Sequence, residues 1–297
     1  MRSRVKLLIY SVLGRKVADK LLVSNLVNKR RKELTRLIKL NKRYYNSHTG
    51  ERCFILGNGP SLKDVNLGLL ENEFTFTVNN FSLVEGYEKV KPNVHLWIDY
   101  SFYEMRNDQK YDHDELMTNY KRISELNPIC FMVDVAYDFV KKYDLDKILN
   151  VNYFSVIDPL DSKVRSQFDL SRAISPYSTV VQYAVSIAVY MGFKEIYLLG
   201  CDSTNIVSII NSAMNIRSEN MHAYKNDDVN ERYKELLNHW SMSDVFYDQY
   251  VLFEGYKTLK DECDKRGVKL INCSSKTLIN ELPRKSLTEV LSFNNGQ

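Results

Sequence analysis

In CFILGNGPSL, residues 53–62, an apolar run stops at two glycines flanking an asparagine, followed by proline and serine. Gly57 and Gly59 permit close backbone approach and positive φ, Asn58 offers both a donor and an acceptor, and Pro60 or Ser61 suits a helix start. Backbone N–H groups at such a strand-to-helix corner suit phosphate or another anion. An ordinary tight turn is the plainer reading of the same glycines. The sequence lacks GxxxxGK[ST], and the corner lacks the third glycine of GxGxxG, so it is neither a P-loop nor a standard dinucleotide fingerprint.

A second anion site is suggested by SRAISPYSTVVQ, residues 171–182. Ser175 is expected to cap a helix with Pro176 at its first position and Tyr177, Ser178 and Thr179 in its first turn, while Arg172 lies close enough to add a charged contact. Ser-Pro is also simply a good helix start. After the run EIYLL come Gly200, Cys201 and Asp202, then a long polar stretch that reads as largely irregular and holds His222 and His239. Such a stretch inside a compact domain suggests a lid, expected around 203–245, and a histidine on it could serve as general base or be a plain surface residue. His95, in mid-strand, reads as core. Asp112 and Asp114 have the DxD spacing of some metal-dependent transferases but lie in a charged, helix-like context.

The elements that must position these groups come next. Seven short apolar runs recur from residue 51: CFIL (53–56), FTFTV (74–78), VHLWI (94–98), ICFMV (129–133), VNYFSV (151–156), EIYLL (195–199) and VKLIN (268–272). Separated by helix-like segments, they predict an α/β fold with a mostly parallel, Rossmann-like sheet. The runs end in GNGPS, in Asn79 and Asn80, in Asp99, in GCDS and in NCSS, so small and polar groups gather at the carboxyl ends, where open α/β sheets bind ligands.

Charge divides the 297-residue chain in two. Residues 1–50 hold fourteen Lys and Arg against Asp19 and Glu33, and the remainder holds 27 basic against 35 acidic residues, so a +12 arm precedes a −8 body. The arm, residues 1–50, has the pattern of basic amphipathic helices that lie on an anionic membrane surface or pack on the body with a solvated basic face. The domain is expected over 51–297. Nucleic acid is not an expected partner, because the body is acidic and carries no recognition motif. Five cysteines, odd in number and without a CxxC pair, suggest reduced thiols in a cytoplasmic protein. No run of eighteen apolar residues and no small-residue cleavage site occurs, so neither a spanning helix nor a signal peptide is expected.

The motifs GNGPSL (57–62), VNNF (78–81) and MGFKEIYLLGCD (191–202) resemble the bacterial sialyltransferases with a GT-A-like domain and the wider group that includes MptE-like pterin diphosphokinases. The resemblance implies a GT-A variant of the Rossmann-like fold, with Gly57, Asn58, Gly59, Ser61, Asn79 and Asn80 at the nucleotide of a CMP-sugar and His222 as the catalytic base. Arg172, Tyr177, Ser178, Thr179 and Asp202 complete the expected donor site. Those sialyltransferases carry tyrosines soon after the Gly-x-Asp, whereas CDSTNIVSII has none. The implied function is sugar transfer from a nucleotide-sugar donor to a surface glycan or lipid-linked glycan at the inner membrane face, with no metal or other cofactor. A homo-oligomer is compatible with it. The alternatives are an MptE-like diphosphokinase using ATP and Mg²⁺ on carboxylates such as Asp99 and Asp202, or an inactive nucleotide-binding protein.

Overall fold

Runs of four or five consecutive apolar residues need cover on both faces, and a parallel sheet flanked by helices supplies it. The computed structural model describes residues 30–103, 112–156, 168–217, 222–223 and 229–292. In it the strands are β1 (Arg52–Leu56), β2 (Thr75–Val78), β3 (Val94–Trp97), β4 (Ile129–Val133), β5 (Asn150–Val156), β6 (Ala173–Ile174), β7 (Glu195–Leu199) and β8 (Lys269–Asn272). They form one sheet in the order β6-β5-β4-β3-β2-β1-β7-β8 with every pairing parallel. The expected Rossmann-like α/β architecture is therefore present, with all seven expected strands in place. The eighth, β6, is two residues long and pairs only with Ser155 and Val156.

The longer helices are α1 (30–39), α2 (His113–Leu126), α3 (Val180–Met191), α4 (Asn205–Ala213), α5 (Val229–Leu237) and α6 (Met242–Lys265). Phe54, Ile55, Phe76, Leu96, Phe131 and Leu198 are fully buried in the sheet, each contributing about 1.5–3 kcal/mol of transfer free energy. Behind β1–β3 lies α3, itself almost wholly buried and packed against α6.

Two local expectations are corrected, and a third, the helical context of DHD, is met. The helix after SPYST starts at Val180, not at Pro176, because Thr179 and Gln182 form a capping box: the Thr179 hydroxyl accepts from Gln182 N. Where it is described, the stretch after Asp202 is not largely irregular, because Ile206 and Ile209 of α4 close over Val245 of α6 with Tyr233, Leu236 and Leu237 of α5 packed alongside. In DHD, the Asp112 side chain caps α2 by accepting from Asp114 N and Glu115 N at 3.0 and 3.1 Å.

Of the basic arm, residues 1–29 lie outside the described residues. Within α1, Leu34, Leu37 and Ile38 pack on the core, while Arg31, Lys32, Arg36 and Lys39 are exposed. Asn41, just after it, is buried and donates from Nδ2 to the Tyr153 and Leu170 carbonyls at 2.7 and 3.0 Å. Among the described residues no helix is long and apolar enough to cross a membrane.

Candidate functional site

Strands β2 to β6 extend to one side of β1, and β7 and β8 lie on the other. The loops after β1 and β7 therefore part at a topological switch point, the place where open α/β sheets form a ligand crevice. Parallel register carries Leu56 beside Leu199 and sets the two loops against each other.

Their glycines serve that contact first. Gly57 N donates to the Leu199 carbonyl and Gly59 N to the Gly200 carbonyl, each at 2.8 Å. A Cβ on Gly59 would lie 2.6 Å from Asp202 Cγ and 2.7 Å from the Gly200 oxygen, and one on Gly57 would overlap the same oxygen. Both N–H groups thus point at protein, and the glycines let two loops interlock instead of cradling an anion.

Asp202 closes the interlock. One carboxylate oxygen accepts from Ser61 N at 2.8 Å and the other from the Ser61 hydroxyl. At 2 % exposure, burial raises its pKa above the ordinary carboxylate value, and the two Ser61 hydrogen bonds only partly oppose the shift.

Over this floor is a cavity of about 190 Å³ whose walls include Asn58, Asn79, Thr179, Asp202, His222 and Tyr256. Asn58 donates from Nδ2 to the Val78 carbonyl at 3.1 Å, which fixes its Oδ1 as an acceptor. That oxygen and Asn79 Oδ1 are buried with no hydrogen-bond partner among the described residues. A ligand group placed here must therefore donate to Asn58, as a ribose hydroxyl or an exocyclic amine does. The His222 segment is pinned to the same loop, since Ala223 N donates to the Asn58 carbonyl at 2.8 Å. Val180 and Val181, the first turn of α3, complete the wall and aim the helix's positive end into the cavity.

Gly57, Asn58, Gly59, Asn79, Thr179, Asp202 and His222 are thus brought together, and Ser61 sits directly beneath them. The other expected residues do not line the cavity. Asn80 is buried and accepts from Asn119 Nδ2 at 2.6 Å. Arg172 is 75 % exposed and faces Asp169 at 3.5 Å. Ser178 N donates to Gln182 Oε1 at 3.0 Å. The Tyr177 ring packs on Tyr183, and burial pushes its phenol up to about 12.

Tyr256 was not legible as a site residue, because it comes from the middle of α6 and nothing in its neighbours marks it. It is 1 % exposed, with its phenol beside the Thr179 and Ser203 side chains and its pKa pushed far up by burial, so it stays a protonated donor. The loop after the Gly-x-Asp has no tyrosine, yet the cavity has one. Among the described residues no group of three or more His, Cys, Asp or Glu side chains is placed to hold a metal ion.

The solved structures similar to this chain include two of a sialyltransferase. One, CstII from Campylobacter jejuni in complex with a substrate analogue, cytidine-5'-monophosphate, is 18% identical over 80% of this chain and 85% of that one, with a TM-score of 0.42. The other, CST-II in complex with a trisaccharide acceptor and CMP, is 20% identical over 79% and 86%, also with a TM-score of 0.42. No curated protein matches. The family model described as 6-hydroxymethylpterin diphosphokinase MptE-like matches residues 22–206, which takes in both interlocked loops and more than half of the sequence, and the chain belongs to that MptE-like family.

Proposed function

We propose that the chain is a glycosyltransferase that binds a CMP-type nucleotide-sugar in the β1/β7 crevice and moves its sugar, a sialic or other nonulosonic acid, to a hydroxyl of a bacterial surface glycan. The observation that carries this reading is one cavity joining two half-buried asparagines with buried amide oxygens, the start of α3 and His222. Asn58 and Asn79 receive hydrogen bonds from the nucleoside. The positive end of α3 and the Tyr256 phenol face its phosphate. His222 accepts the proton of the acceptor hydroxyl as that oxygen bonds to the anomeric carbon. The bond from that carbon to the phosphate oxygen breaks, its electron pair leaves with CMP, and an oxocarbenium-like sugar is passed on in one displacement.

We infer a metal-independent step; both Asp202 oxygens accept from Ser61, which ties that carboxylate to the loop after β1. The second reading, pyrophosphoryl transfer from ATP with Mg²⁺ to a hydroxymethyl acceptor, is favoured by the family match.

Thermal-shift binding of CMP, UMP, GDP and ATP, each with and without Mg²⁺, separates them, since a ligand of the folded state raises its melting temperature. Stabilisation by CMP without metal, lost in Asn58→Ala, is the expected result. Stabilisation by ATP alone, and only with Mg²⁺, would replace sugar transfer by the diphosphokinase reading. Full activity in the double variant Asn58→Ala, His222→Ala would remove both from this cavity.

A further inference from the structure

His95 stands in the middle of β3, fully buried, and the sheet register places it beside Thr77 of β2. Both ring nitrogens are engaged: Nδ1 lies 2.7 Å from Thr77 Oγ1 and Nε2 lies 3.0 Å from the Asn79 carbonyl oxygen. A carbonyl only accepts, so Nε2 carries the proton, and Thr77 must donate its hydroxyl hydrogen to the bare Nδ1. The two partners thus select one neutral tautomer. Burial lowers the ring's pKa to about 3, so the ring stays uncharged near neutrality.

The carbonyl held by Nε2–H belongs to a residue in an uncommon conformation. Asn79 has φ +52°, in the left-handed region that asparagine tolerates better than most residues. Its N–H donates to the Leu96 carbonyl at 2.8 Å, so β3 grips this residue on both its backbone polar groups. The side chain carried by that turn ends in the buried amide oxygen at the cavity, which has no partner among the described residues.

We propose that His95 is a positioning residue for the nucleotide donor: through Nε2–H it holds the left-handed Asn79 turn, and so sets where the Asn79 amide meets the ligand. The inference rests on the reading of the β1/β7 cavity as the donor site. It gives a buried strand histidine a task beyond packing.

The test measures CMP and ATP binding by titration calorimetry in the full chain and reads the His95 ring by ¹⁵N NMR. Glutamine can still donate an amide hydrogen to the Asn79 carbonyl, and leucine cannot. His95→Leu is expected to weaken binding about tenfold, the effect of one lost hydrogen bond, with His95→Gln restoring most of it. The wild-type ring is expected to be neutral and protonated at Nε2. Equal binding by folded His95→Leu and wild type would overturn the positioning role alone. If His95→Leu fails to fold, Thr77→Val takes its place: it removes the donor to Nδ1, so the ring is expected to lose its fixed tautomer and binding to weaken, and unchanged binding by a ring that no longer keeps its proton on Nε2 would overturn the role just as well. A wild type that binds neither nucleotide would overturn the donor-site reading, and this role with it.

Discussion

Asp202 holds a carboxylate where water barely reaches, and burial dominates its electrostatics. Desolvation outweighs the two Ser61 hydrogen bonds, so the folded-state pKa is raised above the unfolded value. The folded state then binds this proton more tightly than the unfolded chain does. The group's contribution to stability is fully present below the unfolded pKa and is lost as pH rises through the folded value. In Asp202→Asn the amide oxygen still accepts from Ser61 N, and the Ser61 hydroxyl can turn to accept from the new NH₂. Urea midpoints measured against pH should therefore decline less steeply for Asp202→Asn than for wild type across that window. Asp202→Ala, which leaves Ser61 N–H buried and unpaired, should cost about 1–3 kcal/mol at neutral pH. A steeper decline in the asparagine variant would reject the account. At this scale much of the cavity's lining was legible: Asn58, Asn79, Thr179, Asp202 and His222 all line one cavity. The glycines misled, because a spacing that permits close approach does not say whether ligand or protein approaches, and here Gly200 and Asp202 do.

Among elements, the interface of α3 with α6 decides what the cavity wall looks like. Gln182 is fully buried, accepts from Ser178 N and Thr179 N, and donates from Nε2 to the Leu252 carbonyl at 2.8 Å, so one side chain both starts α3 and ties it to α6. The sequence reading puts the start at Ser175-Pro176, whereas the helix starts in the box Thr179 to Gln182. Only the second places a glutamine against α6, so tertiary contact chose between them. Opposite Gln182 is Gly255, where a Cβ would stand 2.6 Å from the Gln182 amide nitrogen. Alanine in a helix interior normally gains close to 1 kcal/mol over glycine. Here the sign should reverse: Gly255→Ala should lower the unfolding free energy, by roughly 1–3 kcal/mol if the helices cannot part. Nucleotide binding should weaken with it, since Tyr256 is the next residue. A stabilised Gly255→Ala would show that the contact yields freely. The strands were legible because consecutive apolar residues have few other homes. By contrast β6 was too short to leave a pattern, and α4 and α5 were masked by their polar surroundings.

For the whole molecule, the charge division stands out more clearly once α1 is placed. The strand series was legible, but the order in which the strands lie was not: that β7 returns to the far side of β1, creating the crevice, depends on a crossover no local pattern records. The part of the arm in α1 was legible as amphipathic, yet its pattern could not say what its apolar face meets. In α1 that face meets the body, through Leu34, Leu37 and Ile38, and Arg31, Lys32, Arg36 and Lys39 remain exposed. A membrane contact through α1 is then electrostatic, because the apolar residues that would insert are already engaged. Each exposed base near anionic headgroups is worth about 1 kcal/mol, so replacing Lys32, Arg36 and Lys39 by alanine should weaken vesicle binding about a hundredfold. The full chain should cosediment with phosphatidylglycerol vesicles and not with phosphatidylcholine vesicles, and added salt should release it as the screening length shortens. Because these side chains lie far from the core, the triple variant should keep the wild-type melting temperature. Binding that survives both high salt and the triple substitution would mean that α1 does not make the contact, and that its basic face is simply solvated.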